Sequence, residues 1–145
     1  MMLNTSNFLF VPTKRAPNND ADWCNRFAQN SHRQPIGDKN VHLFFEDSGY
    51  NVKQVLGLRC ENAHDAIALV PDHQVMDMVR QVDADDIDAI IQVGTNLSTA
   101  TSFPVIEKWL EKPVLPINVA TAWHALRSCG VRDQYDHLGR LFEEH

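Results

Sequence analysis

The stretch Ile87-Asp-Ala-Ile-Ile-Gln-Val-Gly-Thr-Asn-Leu97 runs a short, nearly continuous apolar segment straight into a small polar turn. Ile87, Ala89, Ile90, Ile91 and Val93 have the character of a central parallel strand covered on both faces. Gly94, Thr95 and Asn96 then fall at the carboxyl end of that strand, where open α/β sheets bind their ligands. Glycine lets a backbone approach a ligand closely, and Thr and Asn offer hydroxyl and amide groups without fixed charge. A plainer reading of the same residues is a strand-to-helix turn in which Thr95 or Asn96 caps the next helix.

The same layout recurs further on. In Lys112-Pro-Val-Leu-Pro-Ile-Asn-Val-Ala-Thr-Ala-Trp-His-Ala-Leu-Arg-Ser-Cys-Gly-Val131, a strand (Val114 to Ile117) meets a polar residue, Asn118, and then a helix from Ala120 to Cys129 ended by Gly130. Working back toward the amino terminus, Val52 to Leu58 reads as a strand. A helix follows from Pro71 or Asp72, in which Val75, Met78, Val79 and Val82 recur at i, i+3, i+4 and i+7. A helix over Ser102 to Leu110 carries Pro104 in its first turn and presents Ile106, Trp109 and Leu110 as its apolar side. Before these, Asp38 is placed to cap a helix from Lys39 to Ser48, with Val41, Phe44 and Phe45 on one face and Gly49 at its end. This alternation implies right-handed crossovers and an α/β fold: a three-layer αβα arrangement with a mostly parallel sheet. Val52–Leu58, Ile87–Val93 and Val114–Ile117 are expected to be adjacent parallel strands.

The chain divides into a leader, residues 1–35, and a regular body, residues 36–145. The leader lacks sustained periodicity, and Ala16-Pro-Asn-Asn-Asp20 is loop-like. A short helix from Asp20 to Gln29 would use Trp23 and Phe27, and Phe8 to Val11 offers an edge strand.

Composition bounds the function. The chain has 145 residues, 43% of them hydrophobic and 22% charged, which suits one globular domain with a sizeable core. A formal net charge of −6 argues against a general nucleic-acid binder. No apolar run approaches membrane-spanning length, and none near the amino terminus suffices for a signal peptide, so a cytoplasmic location and no membrane partner are expected. Cys24, Cys60 and Cys129 are odd in number and widely spaced, which suggests neither a disulfide framework nor a zinc site. Cys129 reads as a small buried packing residue. Cys60 falls near the carboxyl end of the Val52 to Leu58 strand, where a reactive role is open to it, but the sequence identifies no base or activating group assigned to its thiol. The seven histidines show no metal-ligand spacing, so neither a metal nor a cofactor is expected. Trp123 shares a helix face with Val119, Ala122 and Leu126 and is expected in the core, while His124 lies one residue round, toward solvent or the lobe interface.

Taken together, Gly94-Thr-Asn-Leu97, Lys112-Pro-Val, Asn118-x-Ala, Trp123-x-x-x-Arg127 and its x-x-Gly130 resemble the carboxy-terminal lobe of the aspartate/glutamate racemase superfamily. The nearest branch is that of maleate cis–trans isomerase and arylmalonate decarboxylase, which carries Cys-Thr-Asn-Leu, Lys-Pro-Val, Ser-Asn-Gln-Ala, Trp and Arg-x-x-Gly in this order. The resemblance spans residues 36 to 142. It implies a single lobe of a normally two-lobed fold and a cofactor-independent racemase, isomerase or decarboxylase acting beside the carboxylate of a small (di)carboxylate. It also implies that Gly94, Thr95, Asn96 and Asn118 bind the substrate's carboxylate oxygens.

Two departures bear on activity. The family's catalytic cysteine stands where this chain has Gly94, and the length accommodates one lobe. Chemistry at a carbon next to a carboxylate needs a positioned acid or base and donors for the developing oxyanion. Thr95, Asn96 and Asn118 can orient an anion, but none is a base at neutral pH. No catalytic residue is therefore assigned, and the alternative is a non-catalytic, shortened paralogue or remnant that keeps a small-anion pocket. A lone lobe would expose the face that normally packs on its sister, so self-association into a homo-oligomer is expected, the alternative being that the leader folds over that face.

Overall fold

A computed structural model describes residues 8–13, 28–29, 35–58 and 65–145. The strands are β1 (Phe8–Thr13), β2 (Ala28–Gln29), β3 (Asn51–Gly57), β4 (Ile90–Val93) and β5 (Val114–Pro116). The helices are α1 (Pro35–Asp47), α2 (Asp65–Ala68), α3 (Asp72–Val82), α4 (Phe103–Leu110), α5 (Ile117–Ser128) and α6 (Arg140–Glu144), with a 3-10 turn at Asp136–Leu138. They build an open α/β sheet in the order β2-β3-β1-β4-β5, with helices on both faces. Four strands run in one direction, since β2 is parallel to β3, β5 is parallel to β4, and β1 alone is antiparallel to both its neighbours.

Strand alternation sorts the core into two halves. Ile90, Val114 and Leu56 face α3 and α4, joining Val75, Met78, Val79, Val82, Phe103 and Ile106. Ile91, Leu115 and Val55 face the other way, toward Val41 and Phe45 of α1. Val52 and Val55 share that second face although they are three apart. The register shift opposite Val11 and Pro12 leaves Lys53 as an extra residue in β3, which resets the alternation. The same irregularity accommodates Pro12, which has no N–H to offer a ladder.

The expected adjacency of the three body strands needs correction. β4 and β5 are parallel neighbours, but β3 is separated from β4 by β1. Phe8 to Val11 therefore lies at the middle of the sheet and not at its edge. Of the helix expected over Asp20 to Gln29, Ala28–Gln29 instead pair with β3, and residues 20–27 lie outside the described residues. α1 begins at Pro35, so Asp38 sits inside the first turn, buried, and is not the cap. Gly49 (φ 84°) and Gly130 (φ 82°) terminate α1 and α5 as expected. At both ends the backbone makes the paired bonds of a Schellman motif: Gly49 N to Glu46 O with Tyr50 N to Phe45 O, and Gly130 N to Arg127 O with Val131 N to Leu126 O. The Phe45 and Tyr50 rings meet edge-on at 5.9 Å, the apolar contact that accompanies the first of these caps. Among the described residues no helix is long and apolar enough to cross a membrane.

Candidate functional site

The turn after β4 is organised from beneath. Gly94 is buried and has φ 115°, in the left-handed half of backbone space that side chains disfavour. Its carbonyl accepts a hydrogen bond from Gln92 Nε2 at 2.7 Å, and Gln92 Oε1 receives the Thr99 hydroxyl at 3.5 Å. Gln92 and Thr99 are both buried (0% and 1% exposed), so the turn rests on a small polar network inside the core. Thr95 and Asn96 stand above it, exposed. The chain also enters β1 here, because Phe8 pairs with Val93.

Asn118 closes the arrangement from the neighbouring strand. β5 ends at Pro116, and α5 starts at once with Ile117, so Asn118 lies in the first helical turn and not in a separate loop. Pro116 takes the cap position, with extended backbone. Asn118 Nδ2 donates to the Thr95 carbonyl at 3.0 Å. The two turns at the carboxyl ends of β4 and β5 are thus in direct contact. Gly94, Thr95, Asn96 and Asn118 supply amides, a hydroxyl and backbone groups but no titratable side chain, so the cluster can bind and orient but cannot exchange protons. Among the described residues no three His, Cys, Asp or Glu side chains gather as metal ligands would.

Comparison with known proteins gives this geometry a family. The family model described as arylmalonate decarboxylase matches residues 24–142. The chain belongs to the arylmalonate decarboxylase family. That places it in the aspartate/glutamate racemase superfamily, in the branch shared with maleate isomerase, as the motifs from Gly94 to Gly130 indicated. A crystal structure of arylmalonate decarboxylase superposes with a TM-score of 0.70 at 23% identity, covering 83% of this chain and 53% of that one. The maleate isomerase Iso from Pseudomonas putida superposes with a TM-score of 0.64 at 17% identity, over 80% of this chain and 46% of its own. A cysteine-to-alanine form of the same isomerase, crystallised with maleate, gives 0.63 at 19% identity, over 72% and 42%. This member of the family therefore spans about half the length of the solved relatives it matches. No curated protein sequence matches it.

Several motif residues of this arylmalonate decarboxylase family member work far from the Gly94 turn. Lys112 Nζ bonds Asp83 Oδ1 and the Ala84 carbonyl, each at 2.7 Å, and so ties the segment before β4 to the start of β5. Arg127, nearly buried, donates to the carbonyls of His145, Val131 and Asp133 at 3.0–3.1 Å. Its guanidinium also lies 5.8 Å from the Trp123 ring and 5.6 Å from the Phe142 ring, which fastens the C-terminal segment to α5. Trp123 is only half-buried in this contact, and His124 is exposed. Cys129 is exposed, contrary to the packing role expected of it, because the Schellman cap leaves it at the outer end of α5. Cys24 and Cys60 lie outside the described residues. Trp109 also departs from expectation: it is 51% exposed, with the Arg80 guanidinium 4.8 Å above its ring.

Gln92 and Glu107 are buried polar residues that no motif or spacing in the sequence marks. Gln92 is the one polar residue of β4 and is buried with Ile90 and Ile91 between the two covered faces, where an amide needs partners. Glu107 lies on α4, where a lone carboxylate ordinarily faces solvent. It is 2% exposed and accepts the backbone N–H of Val114 (3.0 Å) and of Arg140 (2.7 Å), linking α4, β5 and α6. Burial raises its carboxyl above the ordinary value, against the pull of those two N–H donors.

Proposed function

We propose that this chain binds small carboxylates, of the malonate or maleate kind, through Gly94, Thr95, Asn96 and Asn118. On this reading it takes part in cofactor-independent racemase, isomerase or decarboxylase chemistry only where an acid or base is supplied from outside these turns. The observation that carries the reading is the hydrogen bond from Asn118 to the Thr95 carbonyl, which holds two strand-end turns together. Such a crevice is where open α/β sheets take their ligands. The amino end of α5, a helix of 12 residues, adds partial positive charge beside it. The solved relatives support the chemical class, since one is an arylmalonate decarboxylase and another is a maleate isomerase holding maleate.

A second reading, a non-catalytic member that keeps only the anion site, is favoured by the backbone of Gly94. At φ 115° the turn disfavours any side chain, and with it the family's thiol. Both readings share the binding site and differ in chemistry. Titration of labelled protein with malonate and maleate, followed by amide NMR, tests the shared part. Shifts are expected at residues 94–96 and 117–119, and perturbations confined to remote positions would remove the proposal.

A further inference from the structure

We infer that Gln92 is a positioning residue for the carboxylate site, fixing the Gly94–Thr95 peptide so that the Thr95 N–H faces outward as a preset donor. The inference rests on the binding site proposed above. Gln92 is fully buried, and its place in β4 puts it on the same side as Ile90, in the core beneath α3 and α4. An apolar residue of similar size would fill that place without the cost of desolvating an amide, so the amide calls for a reason. Both of its ends are engaged: Nε2 donates to the Gly94 carbonyl at 2.7 Å, and Oε1 receives the Thr99 hydroxyl through a longer contact of 3.5 Å.

The geometry of the peptide plane supplies the reason. In a trans peptide the C=O and the N–H point in opposite directions, and the described residues contain no cis bond. The Gly94 carbonyl is drawn inward to Gln92, so the Thr95 N–H is turned away from the core, toward the side on which Thr95 is exposed. Among the described residues no hydrogen bond takes up that N–H. Glycine permits the φ of 115° that this plane requires, but glycine also leaves the plane free to rotate. Gln92 removes that freedom. A backbone donor held in place before the ligand arrives costs no reorganisation when a carboxylate or developing oxyanion binds.

The test compares the wild type with Gln92→Leu and Thr99→Val, following the Thr95 amide by NMR during a malonate titration and measuring thermal stability alongside. Gln92→Leu is expected to move the Thr95 amide resonance before any malonate is added and to weaken malonate binding about tenfold or more. Thr99→Val should do less of both, because Nε2 still reaches the Gly94 carbonyl. A folded Gln92→Leu variant with wild-type affinity and an unmoved Thr95 amide would overturn the inference. If that variant does not fold, the ligand-free wild type decides. A scalar coupling across the bond from the Gln92 amide to the Gly94 carbonyl, with a rapidly exchanging Thr95 N–H, supports it; a protected Thr95 N–H overturns it. Should this signature hold while the wild type takes up no malonate, the carboxylate reading fails and the clamp on the peptide is upheld.

Discussion

Gly94 shows how a single backbone angle constrains the chemistry open to this chain. A side chain at φ 115° carries strain of about 1–3 kcal/mol whatever its functional group. Gly94→Cys and Gly94→Ala are therefore expected to lose stability by similar amounts in denaturant unfolding. A loss confined to the cysteine variant would point to the thiol, and no loss in either would mean that the turn relaxes freely. Asn118 permits a complementary test. Asn118→Asp removes the donor to the Thr95 carbonyl and places a negative charge beside the proposed anion site. Malonate affinity should fall by about tenfold or more, in line with the loss of a hydrogen bond plus like-charge repulsion, while the melting temperature changes little because Asn118 is exposed. Equal malonate affinity in the two proteins would separate Asn118 from the site. The sequence indicated that these residues lie at strand ends, because strand periodicity and polar turns are local signals. It could not indicate the sign of φ at Gly94 or the inward path of Gln92, since both are set by what packs beneath the turn.

Elements whose pattern is carried by their own side chains were the legible ones. Val75, Met78, Val79 and Val82 of α3 are buried as their spacing requires. Gly49 and Gly130 end their helices through bonds that only local backbone geometry decides. β1 was less legible, because Pro12 argues for an edge and the direction of a strand depends on distant partners. Trp109 was misplaced for a related reason: the apolar period of α4 put it inward, but its large ring lies over the surface of α3 under Arg80. Glu107, also on α4, gives the element-scale prediction. Its carboxyl is raised above 4.5, chiefly by burial, so the folded state holds the proton more firmly than the unfolded chain does. The contribution of this group to stability is therefore complete below pH 4.5 and is lost as pH rises through the raised folded value. Melting temperatures of the wild type and Glu107→Gln across that range should show the wild type's relative stability declining as pH increases. A wild-type advantage over Glu107→Gln that grows with pH would mean that the N–H bonds from Val114 and Arg140 outweigh burial.

As a whole, the molecule presents one α/β unit spanning about half the length of its solved relatives, with apolar side chains left in solvent. Leu69, 78% exposed, follows α2 on the connection that leaves the carboxyl end of β3, the same end of the sheet as the Gly94 turn. Concentration-dependent self-association is expected on this basis, and sedimentation of the wild type against Leu69→Asp measures it; a monomer at all concentrations would count against the proposed homo-oligomer. Catalysis is the separate question. None of Gly94, Thr95, Asn96 and Asn118 can act as a base, and loss of a positioned acid or base commonly forfeits about 10² to 10⁴ in rate. The chain by itself should therefore give little or no exchange of the α-protons of malonate or other small dicarboxylates in deuterated water. Exchange that persists in the wild type and also after Cys24, Cys60 and Cys129 are all replaced by Ser would require a base outside the proposed cluster and would defeat this account of Gly94. Exchange abolished by Cys60→Ser alone would relocate the thiol rather than restore it at position 94. Absence of exchange together with malonate binding is the outcome expected of an anion site whose chemistry depends on a group that these turns do not contain.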